Sequence, residues 1–290
     1  MNNKTCLIVS GPTAVGKTAY GIELALKYNT QIISADSRQC FKELNIGVAK
    51  PSIEQLEKVK HYFINTHSIH DEVNVKIFEE YALKSVKEIF KNNDVAVMVG
   101  GTGLYIKAFC EGLDEIPSVD ENIRRKINEQ YEENGFEWLR NEIKLQDNDF
   151  FTKGEMQNPQ RMLRALEVKL STGKSILDFH SGKKTERDFE IKNILLELPR
   201  EQLYQNVNQR VDKMMEDGLL AEAQALYSYK HLNALQTVGY KELFDYLDNK
   251  ISLETAIEEI KKNTRHFAKR QITWFNKFQK EEGEVRMLDV

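Results

Sequence analysis

The sequence predicts an α/β protein with a parallel sheet core, a helical insertion domain and a helical C-terminal region. Two observations predict this class. Apolar runs of strand length alternate with segments of helical periodicity through the first 110 residues, and another apolar run follows at residues 191–198. Strands that alternate with helices form parallel sheets. Between residues 120 and 180, by contrast, every segment has helical character, which separates this stretch from the sheet.

A phosphate-binding loop follows the first predicted strand, residues 6–10, and precedes the first predicted helix, residues 17–27. Its pattern is G-x-x-x-x-G-K-[ST], in which the glycines let backbone N–H groups converge and the helix N-terminus attracts negative charge. Lys17 adds a full positive charge, and the Thr18 hydroxyl is a candidate Mg²⁺ ligand. We therefore expect a phosphate-loop NTPase-like core that binds a polyphosphate or a diphosphate through Gly11, Pro12, Thr13, Ala14, Val15, Gly16, Lys17 and Thr18.

Apolar spacing predicts the other elements of the core. Residues 74–90 have apolar side chains at spacings of three and four, which predicts an amphipathic helix. Residues 94–99 form a continuous apolar run, typical of a central parallel strand that is buried on both faces. The same reasoning predicts helices at 53–60 and 104–110, and strands at 31–35, 62–64 and, at the edge of the sheet, 285–288.

Residues 117–120, which begin with a proline, mark the boundary of the insertion. Within it we predict helices at 121–133, 136–145 and 159–171, the last with Asn158 as its cap and Pro159 in its first turn. After the strand at 191–198, helices are predicted at 200–216, 219–229, 240–247 and 252–280. The predicted domains are the core, residues 1–116 with 187–290, and the insertion, residues 117–186.

Composition limits the class of protein. The chain has 290 residues, 41% of them hydrophobic, and no run approaches the ~20 apolar residues of a membrane helix. Its N-terminus leaves no room for a signal peptide, and its three separated cysteines predict reduced thiols, so we expect a cytoplasmic protein. The net charge is −4, yet residues 261–280 contain seven Lys or Arg and no Asp or Glu. This basic run is either a polyanion contact or a solvated helix face.

Two turns at predicted strand ends carry candidate chemistry. Asp36 follows the second strand and is a candidate Mg²⁺ ligand or proton acceptor, with a surface turn as the alternative. Gly100, Gly101 and Gly103 follow the strand at 94–99, where many phosphate-loop NTPases have a carboxylate. Because ligands of parallel sheets bind beyond the carboxyl ends of the strands, we expect both turns to share one crevice with the phosphate loop.

Helical arginines are candidates for bidentate phosphate contacts. Arg161 and Arg164 lie near the start of one predicted helix, Arg124 and Arg125 lie in the insertion, and Arg210 follows the returning strand. For a single helical arginine a surface salt bridge is the more common outcome. The six histidines have no metal-ligand spacing.

The chain resembles the tRNA isopentenyltransferase family. The resemblance extends over nearly the whole chain and is carried by motifs that occur in order at residues 11–18, 36–39, 46–51, 100–105, 158–167, 238–242 and 264–275. Cys40 and Phe41 depart from the usual aliphatic residue and tyrosine. The resemblance implies transfer of a dimethylallyl group from dimethylallyl diphosphate to N6 of the adenosine 3′ of the anticodon, in tRNAs that read codons beginning with U.

On this interpretation the phosphate loop holds the leaving diphosphate, and Mg²⁺ binds at Thr18. The implied catalytic residues are Asp36, Thr18, Lys17 and Arg210, with Asp36 accepting the proton of the adenine amine. The partners are dimethylallyl diphosphate and the tRNA anticodon stem-loop, without a membrane, and we expect a monomer. The implied tRNA-binding residues are Asp36, Ser37, Arg38, Gln39, Thr102, Arg124, Gln160, Arg161, Met162, Leu163 and Arg164.

Three alternatives remain open at the level of the residues alone. A phosphate-loop kinase of a small metabolite shares the loop and Mg²⁺, but the missing strand-end carboxylate opposes it. An adenylate isopentenyltransferase shares the chemistry with free AMP, whereas the insertion and the basic C-terminal helix favour an RNA acceptor. A nucleotide switch or RNA-binding module without catalysis is disfavoured by Asp36 beside an intact phosphate loop.

Overall fold

A computed structural model of the chain describes residues 4–278 and 284–287. The described residues divide into two compact units. One consists of the residues up to Gly112 together with those from Glu186 onward, and the other is Leu113–Thr185.

The first unit is built on a parallel sheet, which confirms the predicted α/β class. Among the described residues the strand order is β3-β2-β4-β1-β5-β6, and all neighbouring pairs are parallel. The strands are β1 (Thr5–Ser10), β2 (Ile32–Ala35), β3 (His61–Tyr62), β4 (Val95–Gly100), β5 (Glu190–Glu197) and β6 (Glu284–Met287). The register pairs Gly100 with both Ser10 and Ala35. The phosphate loop and the turns after β2 and β4 therefore begin at the same edge of the sheet.

Helices surround this sheet. They are α1 (Lys17–Lys27), α2 (Ile53–Lys58), α3 (Val75–Ile89), α4 (Gly103–Glu111), α8 (Arg200–Glu216), α9 (Leu219–Leu226), α10 (Tyr240–Leu247) and α11 (Leu253–Phe278). Alternate residues of β1 pack into different clusters, Cys6 and Ile8 into one, and Leu7 and Val9 into the other. Because successive strand side chains point to opposite faces, both faces of the sheet are covered by core.

The second unit is helical. Its helices are α5 (Glu121–Gln146), α6 (Asn148–Lys153) and α7 (Pro159–Thr172). The predicted interruption between residues 133 and 136 is confirmed, since Gly135 has a positive φ of 73° inside α5. Asn158 caps α7 as predicted, because its side chain accepts hydrogen bonds from the backbone N–H groups of Gln160 and Arg161.

Some predicted boundaries were wrong. The strand predicted at 62–64 is His61–Tyr62, because Phe63 has a left-handed φ of 62° that takes the chain out of extended conformation. Helix α6 was not predicted; the Asp147 side chain caps it by accepting from the Phe150 N–H. The 3₁₀ turn Tyr227–Tyr229 replaces the last turn predicted for α9. Lys280 and Leu288, which belonged to the last predicted helix and strand, lie outside the described residues.

Candidate functional site

A cavity of about 770 Å³ lies beyond the carboxyl ends of the strands in the first unit. It brings together candidate residues from four separate segments of the chain. The predicted site residues that line it are Thr13, Ala14, Gly16, Lys17, Thr18, Asp36, Ser37, Arg38, Gln39, Thr102 and Arg210. The expected shared crevice is therefore confirmed. Gly11, Pro12 and Val15 of the phosphate loop are buried behind the cavity wall.

The phosphate loop requires glycine at Gly11, where φ is 144° and a Cβ would lie 2.6 Å from the Leu196 carbonyl oxygen. The Lys17 ammonium folds back over the loop and donates to the carbonyl oxygens of Gly11 and Pro12, at 2.9 and 2.6 Å. Burial, and then the nearby Arg210 guanidinium, lowers the pKa of Lys17 to about 7. A bound anion would offset this repulsion between the two cations.

Arg210 reaches the phosphate loop from α8. Its Nη1 donates to the Thr13 hydroxyl at 2.9 Å, and burial lowers its pKa from the usual arginine value. Of the charged side chains in the cavity wall, one is acidic, Asp36, and six are basic: Lys17, Arg38, Lys50, Arg210, Lys241 and Arg270. This imbalance makes the cavity a site for anions.

Asp36 begins the turn after β2. Its Oδ1 accepts from the backbone N–H groups of Arg38 and Gln39, at 2.8 and 3.2 Å, which fixes the carboxylate against the turn. Oδ2 has no hydrogen-bond partner among the described residues, so it is available to a ligand. In the part of the chain that the structure describes, the cavity wall contains no carboxylate at the end of β4, in agreement with the glycine turn.

The turn after β4 supports the turn after β2. The Thr102 hydroxyl accepts from the Ser37 N–H at 3.1 Å, and the Thr102 N–H donates to the Ala35 carbonyl at 3.2 Å. A Cβ on Gly100 would lie 2.2 Å from the same carbonyl oxygen, so only glycine allows this approach. These contacts place Thr102 beside Asp36 in one wall of the cavity.

The Gln39 amide is largely engaged by the protein itself, and the Arg38 guanidinium is engaged through Nη1. The Gln39 Nε2 donates to the carbonyls of Val48 and Ala49, at 3.2 and 3.0 Å, and its Oε1 accepts from the Ser34 hydroxyl at 3.2 Å. The Arg38 Nη1 donates to the carbonyl and side-chain oxygens of Asn233. The remaining capacity of Gln39 to read a base is one acceptor site on Oε1.

Comparison with known proteins decides the family. A family model described as IPP transferase matches residues 39–278. The chain belongs to this family. It is 51% identical to the tRNA dimethylallyltransferase of Christiangramia forsetii over 269 residues, which cover 93% of this chain and 89% of that protein. It is 49% identical to the tRNA dimethylallyltransferase of Flavobacterium psychrophilum over 277 residues, 93% of this chain and 90% of that one.

Solved structures agree with this assignment to the IPP transferase family. The full-length tRNA isopentenylpyrophosphate transferase from Bacillus halodurans has a TM-score of 0.71 and 33% identity, covering 99% of this chain and 91% of that chain. A eukaryotic dimethylallyltransferase, crystallised acting on tRNA, has a TM-score of 0.81 and 29% identity, covering 99% of this chain and 74% of that chain.

The other predicted tRNA-binding residues of this IPP transferase family member lie in the second unit. The guanidinium groups of Arg124 and Arg164 both approach Glu167, at 3.5 and 3.3 Å. Arg161 lies 3.5 Å from Glu155, and Gln160 is exposed. The Arg161–Glu155 pair is exposed and therefore weak, which leaves Arg161 available to phosphate. Glu167 is buried, so Arg124 and Arg164 are held more firmly beside it.

Two residues of the same predicted tRNA-binding segment are in the core of the second unit. Met162 is 0% exposed and Leu163 is 5% exposed. Their apolar side chains pack inside the unit, so a contact of these two residues with tRNA would have to come from the backbone, and their role in tRNA binding stays a prediction. The periodicity of α7 contains the signal, because residues 162, 163 and 166 fall on one face.

The first three basic residues of the C-terminal run are paired with other side chains. Lys261 forms ion pairs with Asp212 and Glu258, at 2.8 and 3.0 Å. The Lys262 ammonium lies 3.0 Å from Glu259, and the Arg265 Nη1 donates to the Asn208 side chain at 2.6 Å. These contacts favour the solvated-face interpretation for the first turns of the run.

Sequence reasoning missed several residues of the cavity wall, among them Lys50, Gln236, Lys241, Arg270 and Gln271. Gln271 is the most informative. It is a polar residue on the buried face of α11, which it shares with Ile260, Ala268 and Phe275. A buried amide in an apolar stripe needs hydrogen-bond partners, and this need was the signal that could have distinguished Gln271 from its apolar neighbours.

Proposed function

We propose that the chain transfers a dimethylallyl group from dimethylallyl diphosphate to N6 of the adenosine 3′-adjacent to the anticodon, in tRNAs that read codons starting with U. Diphosphate is the second product. One observation carries the proposal: a phosphate loop with two half-buried cations, Lys17 and Arg210, shares a single cavity with one carboxylate, Asp36. The relatives named tRNA dimethylallyltransferase support the same chemistry.

The diphosphate end of the donor fits the phosphate loop. Lys17 and Arg210 are held over the loop by its own oxygens, so their charges are in place before the donor binds. As the C–O bond to the allylic carbon breaks, negative charge grows on the departing diphosphate. Preorganised cations and backbone N–H groups stabilise such charge without reorganising during the reaction.

The acceptor amine fits the opposite wall. Asp36 Oδ1 is held by backbone N–H groups, which leaves Oδ2 to accept a hydrogen bond from the adenine amine. When N6 bonds to the allylic carbon, its proton passes to this carboxylate. Because an exocyclic amine is a poor nucleophile, we infer that positioning contributes as much as proton removal. The adenosine must leave its stack to enter the cavity.

The donor set fits Mg²⁺ that is bound mainly through phosphate oxygens. Among the described residues there is no group of three or more His, Cys, Asp or Glu side chains that could hold a metal by itself. Mg²⁺ commonly keeps several waters and takes few protein ligands when it accompanies phosphates. The Thr18 hydroxyl, in the cavity wall, would hold it. Bound there, the ion would neutralise charge on the diphosphate.

The partners follow from the same site. We propose the tRNA anticodon stem-loop as the macromolecular partner and a monomer as the active form. Among the described residues no helix is long and apolar enough to cross a membrane.

Acceptor and donor specificity test the proposal together. Purified protein with Mg²⁺ would be given either dimethylallyl diphosphate or ATP, and as acceptor either tRNA or AMP, and diphosphate release would be measured. We expect release from dimethylallyl diphosphate with tRNA. Release with AMP as the acceptor would indicate an adenylate isopentenyltransferase. Formation of ADP from ATP, measured in parallel reactions that contain small metabolites, would indicate a kinase.

A further inference from the structure

We propose that Gln271 is a positioning residue that fixes the distance between the donor-binding loop and the acceptor side of the cavity. The inference rests on the proposed function, because it assigns the donor to the phosphate loop and the acceptor to the wall that contains Asp36. Gln271 would act through the loops that it joins, without contact with either substrate.

The Gln271 side chain joins two loops that are distant in sequence. Its Oε1 accepts from the Thr13 N–H at 2.8 Å, and its Nε2 donates to the Gly101 carbonyl at 2.9 Å. The residue is 7% exposed, and the fully buried Ala268 and Phe275 anchor α11 on either side of it. One amide thus spans the gap between the phosphate loop and the glycine turn.

Both ends of this bridge lead directly to reacting groups. On the donor side, the Thr13 hydroxyl accepts from Arg210, so the bridge also fixes the position of that cation. On the acceptor side, Gly101 immediately precedes Thr102, whose hydroxyl holds the Ser37 N–H next to Asp36. A shift of Gln271 would therefore change the separation between the cations and the carboxylate.

Gly101 makes room for the Gln271 amide. A Cβ on Gly101 would lie 2.3 Å from the Gln271 Nε2, closer than real Cβ atoms approach a neighbour. The amide therefore contacts bare backbone at this point. Any side chain at position 101 would push the bridge away from the Gly101 carbonyl.

Only an amide satisfies both partners at this position. The phosphate loop offers a donor, the Thr13 N–H, and the glycine turn offers an acceptor, the Gly101 carbonyl. Glutamate would keep the first contact and place a second oxygen against the carbonyl, and methionine would fill the space with neither contact. Gln271 is 7% exposed in the cavity wall, and its amide makes one contact to each loop, so its part is to hold the two loops together.

The consequence is kinetic. Reacting atoms must be held near 3–3.5 Å, and a displacement of about 1 Å costs on the order of 100-fold in rate. Loss of the bridge lets the two loops separate while each keeps its own binding groups. We therefore expect Gln271→Met and Gln271→Glu to lower kcat by about 10- to 100-fold, with the KM of dimethylallyl diphosphate and of tRNA within about threefold of wild type.

A double-mutant cycle tests the geometry from both ends. Gly101→Ala should lower kcat because the new methyl group displaces the amide, and Gln271→Ala should do so because the amide is gone. In the double variant the new methyl group at position 101 meets no glutamine side chain. The kcat of the double variant should therefore equal that of Gln271→Ala within about twofold. If instead the double variant loses kcat by the product of the two single-variant factors, the two residues act independently, and the proposed bridge is contradicted.

Two further measurements keep the test decisive. Ser85→Ala is the matched control, since it removes a buried hydrogen bond within α3, to the Tyr81 carbonyl, outside the cavity. It should leave kcat unchanged.

Hydrogen exchange of the Thr13 amide, followed by NMR, should accelerate in Gln271→Met. If wild type transfers no dimethylallyl group, the proposed function fails, while protected exchange at Thr13 would still report the bridge. Wild-type kcat in Gln271→Met, or a higher tRNA KM with kcat retained, would overturn the positioning role.

Discussion

Glu222→Gln should destabilise the loop that forms one side of the cavity. Glu222 Oε2 accepts from the N–H groups of Asn45 and Ile46, at 3.1 and 3.0 Å. Oε1 accepts from the Gly47 N–H at 3.0 Å and from the Tyr240 hydroxyl at 2.6 Å. Tyr240 is fully buried, and a Cβ on Gly47 would lie 2.6 Å from its ring. One carboxylate therefore holds three successive backbone donors and a phenol.

The magnitude follows from the number of hydrogen bonds that the substitution breaks. Glutamine keeps one acceptor oxygen and turns an NH₂ group toward the other pair of donors, so it breaks two of the four hydrogen bonds to Glu222. At about 1.5–3 kcal/mol for each bond to a charged group, and at the lower end because Glu222 is half-buried, the destabilisation is about 3 kcal/mol. Tyr240→Phe removes a single bond and should cost about half as much.

Urea unfolding at constant pH measures both variants. We expect the midpoint of Glu222→Gln to fall further than that of Tyr240→Phe, with unchanged slopes. A free energy of unfolding for Glu222→Gln within about 0.5 kcal/mol of wild type would refute the reasoning, because surface substitutions commonly fall in that range.

Three further predictions concern the site itself. Asp36→Asn keeps an oxygen for the turn, so it should retain tRNA affinity in filter binding yet lower transfer about 10²- to 10⁴-fold; near-normal transfer would remove Asp36 from the mechanism. Lys17→Ala and Thr18→Ala should weaken diphosphate binding in calorimetry with little change in tRNA affinity, and the reverse pattern would contradict the loop's role. The double variant Arg161→Ala with Arg164→Ala should lower the affinity for every tRNA similarly. It should also reduce the slope of log affinity against log salt concentration by roughly one for each arginine that binds a phosphate; an unchanged slope would place the RNA site elsewhere.

Lys262→Ala is the control for the arginine variant. Lys262 is exposed and paired with Glu259, so its removal should leave the salt dependence of tRNA affinity unchanged. If Lys262→Ala changed the salt dependence of tRNA affinity as much as the arginine variant does, the basic C-terminal run would be part of the RNA-binding surface.

Local pattern was sufficient for the sheet and for the position of the cavity. The apolar runs before Gly11 and Gly100 defined β1 and β4 because buried parallel strands need no polar alternation. Parallel strands then required their following turns to meet at one edge, which brought Asp36 and Thr102 to the phosphate loop. The interruption of α5 at Gly135 was also visible, since glycine is a weak helix former.

Long-range contacts were not readable from the sequence. Gln271 lies 258 residues from Thr13, its partner, and no periodicity shows that an amide in an apolar stripe joins two distant loops. Glu222 likewise accepts from the N–H of Asn45, 177 residues away in the chain, and no local pattern shows this contact. The resemblance marks the whole segment 160–164 as RNA-binding, whereas the structure buries the side chains of Met162 and Leu163 and leaves Gln160 and Arg161 exposed.

Mass analysis of tRNA nucleosides tests the central claim most directly. Unmodified tRNA would be incubated with the pure protein, dimethylallyl diphosphate and Mg²⁺ and then digested to nucleosides. The mass and the fragments of each nucleoside would be measured by mass spectrometry. We predict that one adenosine, 3′-adjacent to the anticodon, gains one dimethylallyl group on N6, and that Asp36→Asn yields little of this product. Unmodified adenosine in the wild-type reaction, with the tRNA bound and the donor intact, would contradict the proposed transfer.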